Sequence, residues 1–238
     1  MYGWRARIGR LAPSAATTAE NEWAKASPDG VITVCARYFI DRVTPEDLER
    51  MMQQVDRAAK EVASARVDVI AQCGTPGVFI HGFGYDRQVI DRIEQATGIP
   101  ATTMATSIVE GLRRLGVRRV VVGTAYTDDL NAMLRTFLEA AGLEVSAVLG
   151  LGLVRNVEIG DQPPEVTYRL GRRVFRQAPD ADALVISCGG LRTFEVIEPL
   201  EEDLGVPVTT SSQATFWNAL RMSGVRAPVR GFGSLLTL

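Results

Sequence analysis

The chain has almost no histidine and little cysteine. Its 238 residues include one histidine, His81, and three cysteines, Cys35, Cys73 and Cys188. A single histidine weighs against a histidine-built metal centre and makes any Ser-His-Asp arrangement depend on that residue alone. The cysteines lack metal-type spacing and are too sparse for a disulfide framework. No apolar run reaches the ~18–20 residues of a membrane span. Met1-Tyr2-Gly3-Trp4-Arg5-Ala6-Arg7 leads directly into a predicted strand without a secretory h-region, so a cytoplasmic protein is expected. Charge of one sign is missing as well. The net charge is −2 with scattered signs, so neither a nucleic acid nor a membrane is expected as partner. A P-loop lysine motif and a Gly-x-Gly-x-x-Gly fingerprint are both absent, which removes the usual signs of nucleotide binding.

What the chain does contain is its own pattern nearly twice. Val69-Ile70-Ala71-Gln72-Cys73-Gly74 and Leu184-Val185-Ile186-Ser187-Cys188-Gly189 each end an apolar run in a cysteine and a glycine. Further along come Gly98-Ile99-Pro100-Ala101-Thr102-Thr103 and Gly205-Val206-Pro207-Val208-Thr209-Thr210. Leu112-Arg113-Arg114-Leu115-Gly116-Val117 and Leu220-Arg221-Met222-Ser223-Gly224-Val225 close the two copies. A repeat this long implies two similar half-domains. The expected boundaries are 1–116 and 117–213, with 214–238 packing back on the first half. The hydrophobic fraction, 46%, suffices for two cores.

Short apolar runs alternate with helical patterns, which predicts parallel α/β sheets covered on both faces. Strands are expected at 7–11, 31–36, 67–72, 101–103, 120–123, 145–149, 183–187 and 208–210. Thr44-Pro45-Glu46-Asp47 places an N-cap, a proline at the first helical position and acids in the first turn, so it opens a helix running to about Ala63. Further helices are expected at 85–97, 105–115, 127–141, 165–177, 194–204 and 214–222.

Ligands in open parallel sheets sit beyond the carboxyl ends of the strands. Cys73-Gly74-Thr75 and Cys188-Gly189-Gly190 fall there, and the glycines allow close backbone approach to a ligand. Related by the repeat, the two thiols would face one another across a groove between the halves. A helix N-terminus beyond each strand would favour an anion and lower the thiol pKa. Cys188 is the stronger candidate. Cys73 either faces the groove or packs in the core, with Gly74 then in the ligand-facing place, and Cys35 is expected to be structural. Hydroxyls gather at the other strand ends, in Ser14-Ala15-Ala16-Thr17-Thr18 and in Thr124-Ala125-Tyr126-Thr127. They suit a carboxylate, although Thr17, Thr18 and Thr127 also suit helix N-caps. Asp128 and Asp129 read as complements to a helix dipole, and His81 lies in a glycine-rich loop near the groove mouth.

These residues resemble one family. The runs Ser187-Cys188-Gly189-Gly190-Leu191, Gly74-Thr75, Ala125-Tyr126-Thr127-Asp128-Asp129 and Val43-Thr44-Pro45-Glu46 are similar to the Asp/Glu racemase superfamily, in the branch of arylmalonate decarboxylases and maleate cis–trans isomerases. Asn156-Val157-Glu158 and Ser212-Gln213-Ala214-Thr215 look more like the isomerases. The resemblance implies two pseudo-symmetric, Rossmann-like half-domains, each a four-stranded parallel sheet flanked by helices, with the active site in the cleft between them. It implies no cofactor and no metal. It makes Cys188 the proton donor to an enediolate and places Thr75, Tyr126 and the amides around Cys188, Gly189 and Gly190 on the retained carboxylate. Ser14, Thr127 and Asn156 join them as substrate-binding candidates, and Ile40, Val43 and Leu191 form an apolar wall. The second cysteine of the isomerases and racemases falls on Gly74, one place after Cys73. Pro76 replaces a hydroxyl residue of the decarboxylases, Leu48 a tyrosine, and Ala16 an asparagine of the isomerases.

The expected activity is cofactor-free decarboxylation of a small substituted malonate. A cysteine-dependent cis–trans isomerase or racemase is the alternative, with Cys73 joining Cys188 in catalysis. A two-lobed carboxylate-binding protein is the second alternative. The expected partner is a small mono- or dicarboxylate, and a homo-oligomer is compatible with the sequence.

Overall fold

The repeat folds twice into the same unit. In the computed structural model, which describes residues 1–238, the first unit contains β1 (Ala6–Pro13), α1 (Ala19–Ala26), β2 (Val31–Tyr38), α2 (Pro45–Met52), α3 (Val55–Ala63), β3 (Val69–Gln72), α4 (Pro76–Phe79), α5 (Tyr85–Thr97), β4 (Ala101–Thr103) and α6 (Met104–Arg114). The second contains β5 (Arg119–Thr124), α7 (Asp128–Ala140), β6 (Glu144–Gly150), α8 (Asn156–Gly160), α9 (Pro164–Phe175), β7 (Ala183–Ser187), α10 (Ile197–Leu204), β8 (Val208–Thr210) and α11 (Ser211–Met222). A 3-10 turn, Ser234–Thr237, closes the chain. The sheets are four-stranded, with orders β2-β1-β3-β4 and β6-β5-β7-β8, and every pairing is parallel. Every residue of β3 and β7 is buried, which is why neither strand alternates in sequence.

The repeated Thr-Thr pairs are helix starts. Thr103 Oγ1 accepts from Thr106 N at 3.0 Å, and Thr210 Oγ1 accepts from Gln213 N at 3.1 Å. Gln213 returns a bond to the Thr210 amide and completes a capping box. The helices so capped, α6 and α11, pack against one another between the two sheets. The last segment spans both halves rather than lying on the first alone. Leu235 approaches Gly111 of α6, whereas the Glu201 carboxylate of α10 accepts from Ser234 N and Oγ.

The long helix expected from Thr44 to Ala63 is two. Thr44 caps the first as expected, accepting from Asp47 N at 3.4 Å. The chain then breaks at Gln53–Gln54, because the Gln54 side chain is bound to the backbone N and O of Phe39. The break turns Leu48 and Met51 toward the cleft while α3 covers the sheet. The helices α1, α4 and α8 are too short for a clear apolar period and were not expected. Residues 194–196 are not helical, and α10 begins at Ile197.

Candidate active site

The carboxyl ends of β1, β3, β5 and β7 converge on one narrow cavity of ≈ 40 Å³. Cys73 and Cys188 both line it. The second half supplies Tyr126, Asn156, Gly189 and Gly190; the first supplies Gly74, Thr75, Pro76, Ile40, Val43, Leu48 and Met51. Pro13 and Ala16 complete one side, Met104 of α6 closes another, and Arg10 of β1 enters the wall. Arg10, Pro13, Met51 and Met104 join the lining beyond the residues expected from sequence. Strand alternation alone could have flagged Arg10, a charged residue inside a run otherwise destined for burial.

Cys188 is 6% exposed and follows the end of β7. Burial pushes its thiol up, against the opposing pull of the Gly190 and Leu191 backbone N–H groups and of Tyr126. The lowered thiol pKa expected from a helix N-terminus is therefore not found: no helix starts until α10, and desolvation wins. Tyr126 is 1% exposed, and its hydroxyl has no hydrogen-bond partner although Ser187, Cys188 and Thr75 are its neighbours. Thr75 Oγ1 donates to Ser211 Oγ at 3.4 Å, and Ser211 Oγ to Ser187 Oγ at 3.5 Å. A buried, unpartnered hydroxyl costs stability unless something enters to bind it. The turn that presents Tyr126 is fixed from below. Tyr126 N donates to Thr124 Oγ1 at 3.1 Å, and Leu153 N to Ala125 O at 2.8 Å. Gly150 lets β6 pass the turn, since a Cβ there would collide with the Tyr126 carbonyl.

Cys73 is 1% exposed and stands in the cavity wall beside Arg10. Burial pushes its thiol up and the guanidinium pulls it down, with burial the larger effect. Its carbonyl accepts from Gln72 Nε2 at 3.0 Å and from the Tyr38 hydroxyl. Gly74 has φ +116°, a conformation that L residues rarely adopt. A side chain at this position would therefore be strained.

The apolar wall and the second half are stitched together by backbone. Val43 N donates to Val154 O at 2.7 Å, and Asn156 N to Asp41 O at 2.8 Å. Asn156 Nδ2 has no partner. Three further bonds tie α1 to the loop after Cys188. Glu22 Oε1 accepts from Thr193 N at 2.6 Å, Phe194 N at 3.0 Å and Thr193 Oγ1 at 3.1 Å. Thr18 Oγ1 donates to Gly190 O at 2.9 Å, and Trp23 Nε1 to Ser212 O at 3.1 Å.

Other expected residues lie outside the lining. Ser14 clamps the wall segment instead: its Oγ accepts from Ile40 N at 3.2 Å. The Leu191 side chain is fully buried in the core, and only its amide faces the Cys188 thiol. Thr127 precedes α7 without a side-chain cap bond, and Asp128 and Asp129 occupy the first turn of that helix. Cys35, expected to be structural, is exposed on the edge strand β2. His81 pairs with Glu49 at 3.2 Å and stacks on Tyr85, away from the cavity. No group of three or more His, Cys, Asp or Glu side chains is placed to hold a metal ion.

The chain that carries this cleft, with Cys188 beside the unpartnered Tyr126 hydroxyl, matches known proteins along nearly its whole length. The profile of the arylmalonate decarboxylase family matches residues 8–236. The chain belongs to this family. It is 35% identical to the arylmalonate decarboxylase of Bordetella bronchiseptica, over 96% of this chain and 95% of that one. A liganded double variant of arylmalonate decarboxylase superposes with a TM-score of 0.92 at 34% identity, covering 97% of this chain and 98% of the other. A Nocardia farcinica maleate cis–trans isomerase variant carrying a covalently bound succinylcysteine intermediate superposes equally well, at 0.92 and 28% identity, with 98% of both chains covered. The family thus contains enzymes of two activities on one fold, and a cysteine forms a covalent intermediate in one of them.

Proposed function

We propose that the protein is a cofactor-free decarboxylase of a small substituted malonate, with Cys188 as the proton donor. The observation that carries this reading is the meeting, in one cavity, of the Cys188 thiol with Thr75, the unpartnered Tyr126 hydroxyl and the Gly189–Gly190 turn, opposite an apolar wall. Burial favours the protonated thiol, the form an acid needs, and the neighbouring hydroxyl and amide donors have room for an oxyanion. One carboxylate of the substrate is held by Thr75, Tyr126 and the amides of the Gly189–Gly190 turn. The other lies along Ile40, Val43, Leu48 and Met51. The apolar wall offers the charged carboxylate no hydrogen bonds, and it leaves as CO2. The bonding electrons pass into an enediolate on the retained carboxylate. The fixed donors stabilise that charge, each contributing roughly 3 kcal/mol. Cys188 then delivers its proton to the α-carbon on one face, and solvent restores the thiol.

One observation favours a second reading. Cys73 lines the same cavity as Cys188. A cis–trans isomerase or racemase needs a second acid–base or nucleophilic group, and Cys73 supplies one. Incubation with phenylmalonate, methylmalonate and maleate in D2O, followed by proton NMR, separates the two. The decarboxylase reading expects a monodeuterated monoacid from a malonate and no fumarate. Fumarate from maleate, with malonates untouched, would replace it with the isomerase.

A further inference from the structure

Arg10 is the least explained side chain in the cleft. It sits in mid-strand, in register with Cys35 on β2 and Ala71 on β3. Its side chain is 1% exposed. The guanidinium lies over the Trp23 ring, 5.4 Å from the centroid. Its one carboxylate neighbour is Glu20 at 3.6 Å, and that carboxylate is bound more closely, at 2.6 Å, by Arg37. Two arginines therefore share one negative charge. Nε and Nη1 of Arg10 are buried without a hydrogen-bond partner. Arginine cannot shed its proton to escape this situation. A buried, under-neutralised cation with free donors lowers stability, and a methylene-rich residue of the same length would fill the space without that cost. The residue also lines the cavity that holds Cys73, Thr75, Tyr126 and Cys188.

We propose that Arg10 binds a second anionic group of the substrate, one that remains in the product. This rests on the reading that the cleft takes a small acid beside Cys188, and it specifies which acid. A carboxylate paired with Arg10 is stabilised as an anion more than on its way to neutral CO2, so pairing opposes its loss. The group held by Arg10 is accordingly not the leaving carboxylate. The substrate is then a malonate whose substituent itself ends in a carboxylate, and the product is a dicarboxylate. The narrow cavity limits that substituent to a short one. The Cys73 thiolate is the competing counter-ion from within the protein, but Cys73 stands in the same dry wall, where a thiolate is disfavoured.

Calorimetric titration of the protein with succinate and with butyrate, at neutral pH and fixed ionic strength, tests this without turnover. These acids have the same chain length and differ by one carboxylate. The wild type should bind succinate at least about 10-fold more tightly, in line with a charge-assisted pair. Arg10→Met should bring the two affinities within about threefold, chiefly through loss of succinate affinity, and raise the melting temperature. Arg10→Lys, which keeps the charge without the planar fork, should retain part of the preference. Equal affinities in the wild type would overturn the proposal, and so would a succinate preference that survives Arg10→Met. An Arg10-dependent preference in a protein that decarboxylates no malonate would sustain the anion site and remove the decarboxylase reading.

Discussion

Replacing Glu22 by alanine removes the acceptor that ties α1 to the loop after Cys188. Three donors converge on Oε1, two of them backbone N–H groups, and the residue is 5% exposed. Each buried donor left without a partner costs about 1–3 kcal/mol, and part of the sum is offset because a buried carboxylate is removed as well. A net loss of about 3 kcal/mol is expected for Glu22→Ala, or about 6–12 °C in melting temperature for a chain of this size. Glu22→Gln keeps a carbonyl oxygen in the same place and should stay within about 1.5 kcal/mol of wild type. The two proteins should also part with pH. Burial raises the Glu22 carboxyl above its ordinary 4.5, against the pull of the Thr193 and Phe194 amides. Stability linked to a raised carboxyl is fully present below the unfolded pKa and is lost as pH rises through the folded one. The wild type should therefore lose stability relative to Glu22→Gln as pH increases from about 4.5. Thermal melts of the three proteins between pH 4 and pH 8 read both effects. A Glu22→Ala protein that melts with the wild type would show that these bonds do not hold the loop.

Two further substitutions address the chemistry. Tyr126→Phe deletes a hydroxyl that has no partner within the protein, so melting should be nearly unchanged while turnover falls about 10²- to 10³-fold; a large drop in melting temperature would show the hydroxyl to be structural. Cys73→Ser buries a hydroxyl in a dry wall, costing about 1–3 kcal/mol. In the decarboxylase reading melting falls and the rate changes little, whereas lost turnover with unchanged melting would establish the two-thiol isomerase.

The repeat in the sequence foretold the paired sheets because each strand end carries a chemically distinctive signature: Cys-Gly at β3 and β7, Thr-Thr at β4 and β8. The fold class follows from the repeat, whereas the grouping of Thr75 and Tyr126 with Cys188 rests on the family resemblance; the cavity brings all three together. The break between α2 and α3 was hidden, since it depends on Gln54 reaching a backbone segment fifteen residues away. Ser14 and Leu191 have the right types for a site and sit near it, but their side chains are committed to Ile40 and to the core. The thiol state of Cys188 lies beyond the sequence for a similar reason. The sequence shows the glycines that admit amides, whereas the depth of burial that outweighs them exists only in the folded chain. The charge of Arg10 inside a buried strand is legible in the sequence, but its lack of a full counter-ion is not, because Glu20 is held by Arg37 of another strand.

In the decarboxylase reading, Cys188 gives its proton to the product. The decisive comparison is turnover of a malonate by wild type and Cys188→Ala, read by proton NMR in D2O alongside melting temperatures. An unchanged melt and a rate lower by at least about a hundredfold are expected, the loss of about 3 kcal/mol of transition-state stabilisation. Turnover by Cys188→Ala near the wild-type rate would rule out Cys188 as the proton donor.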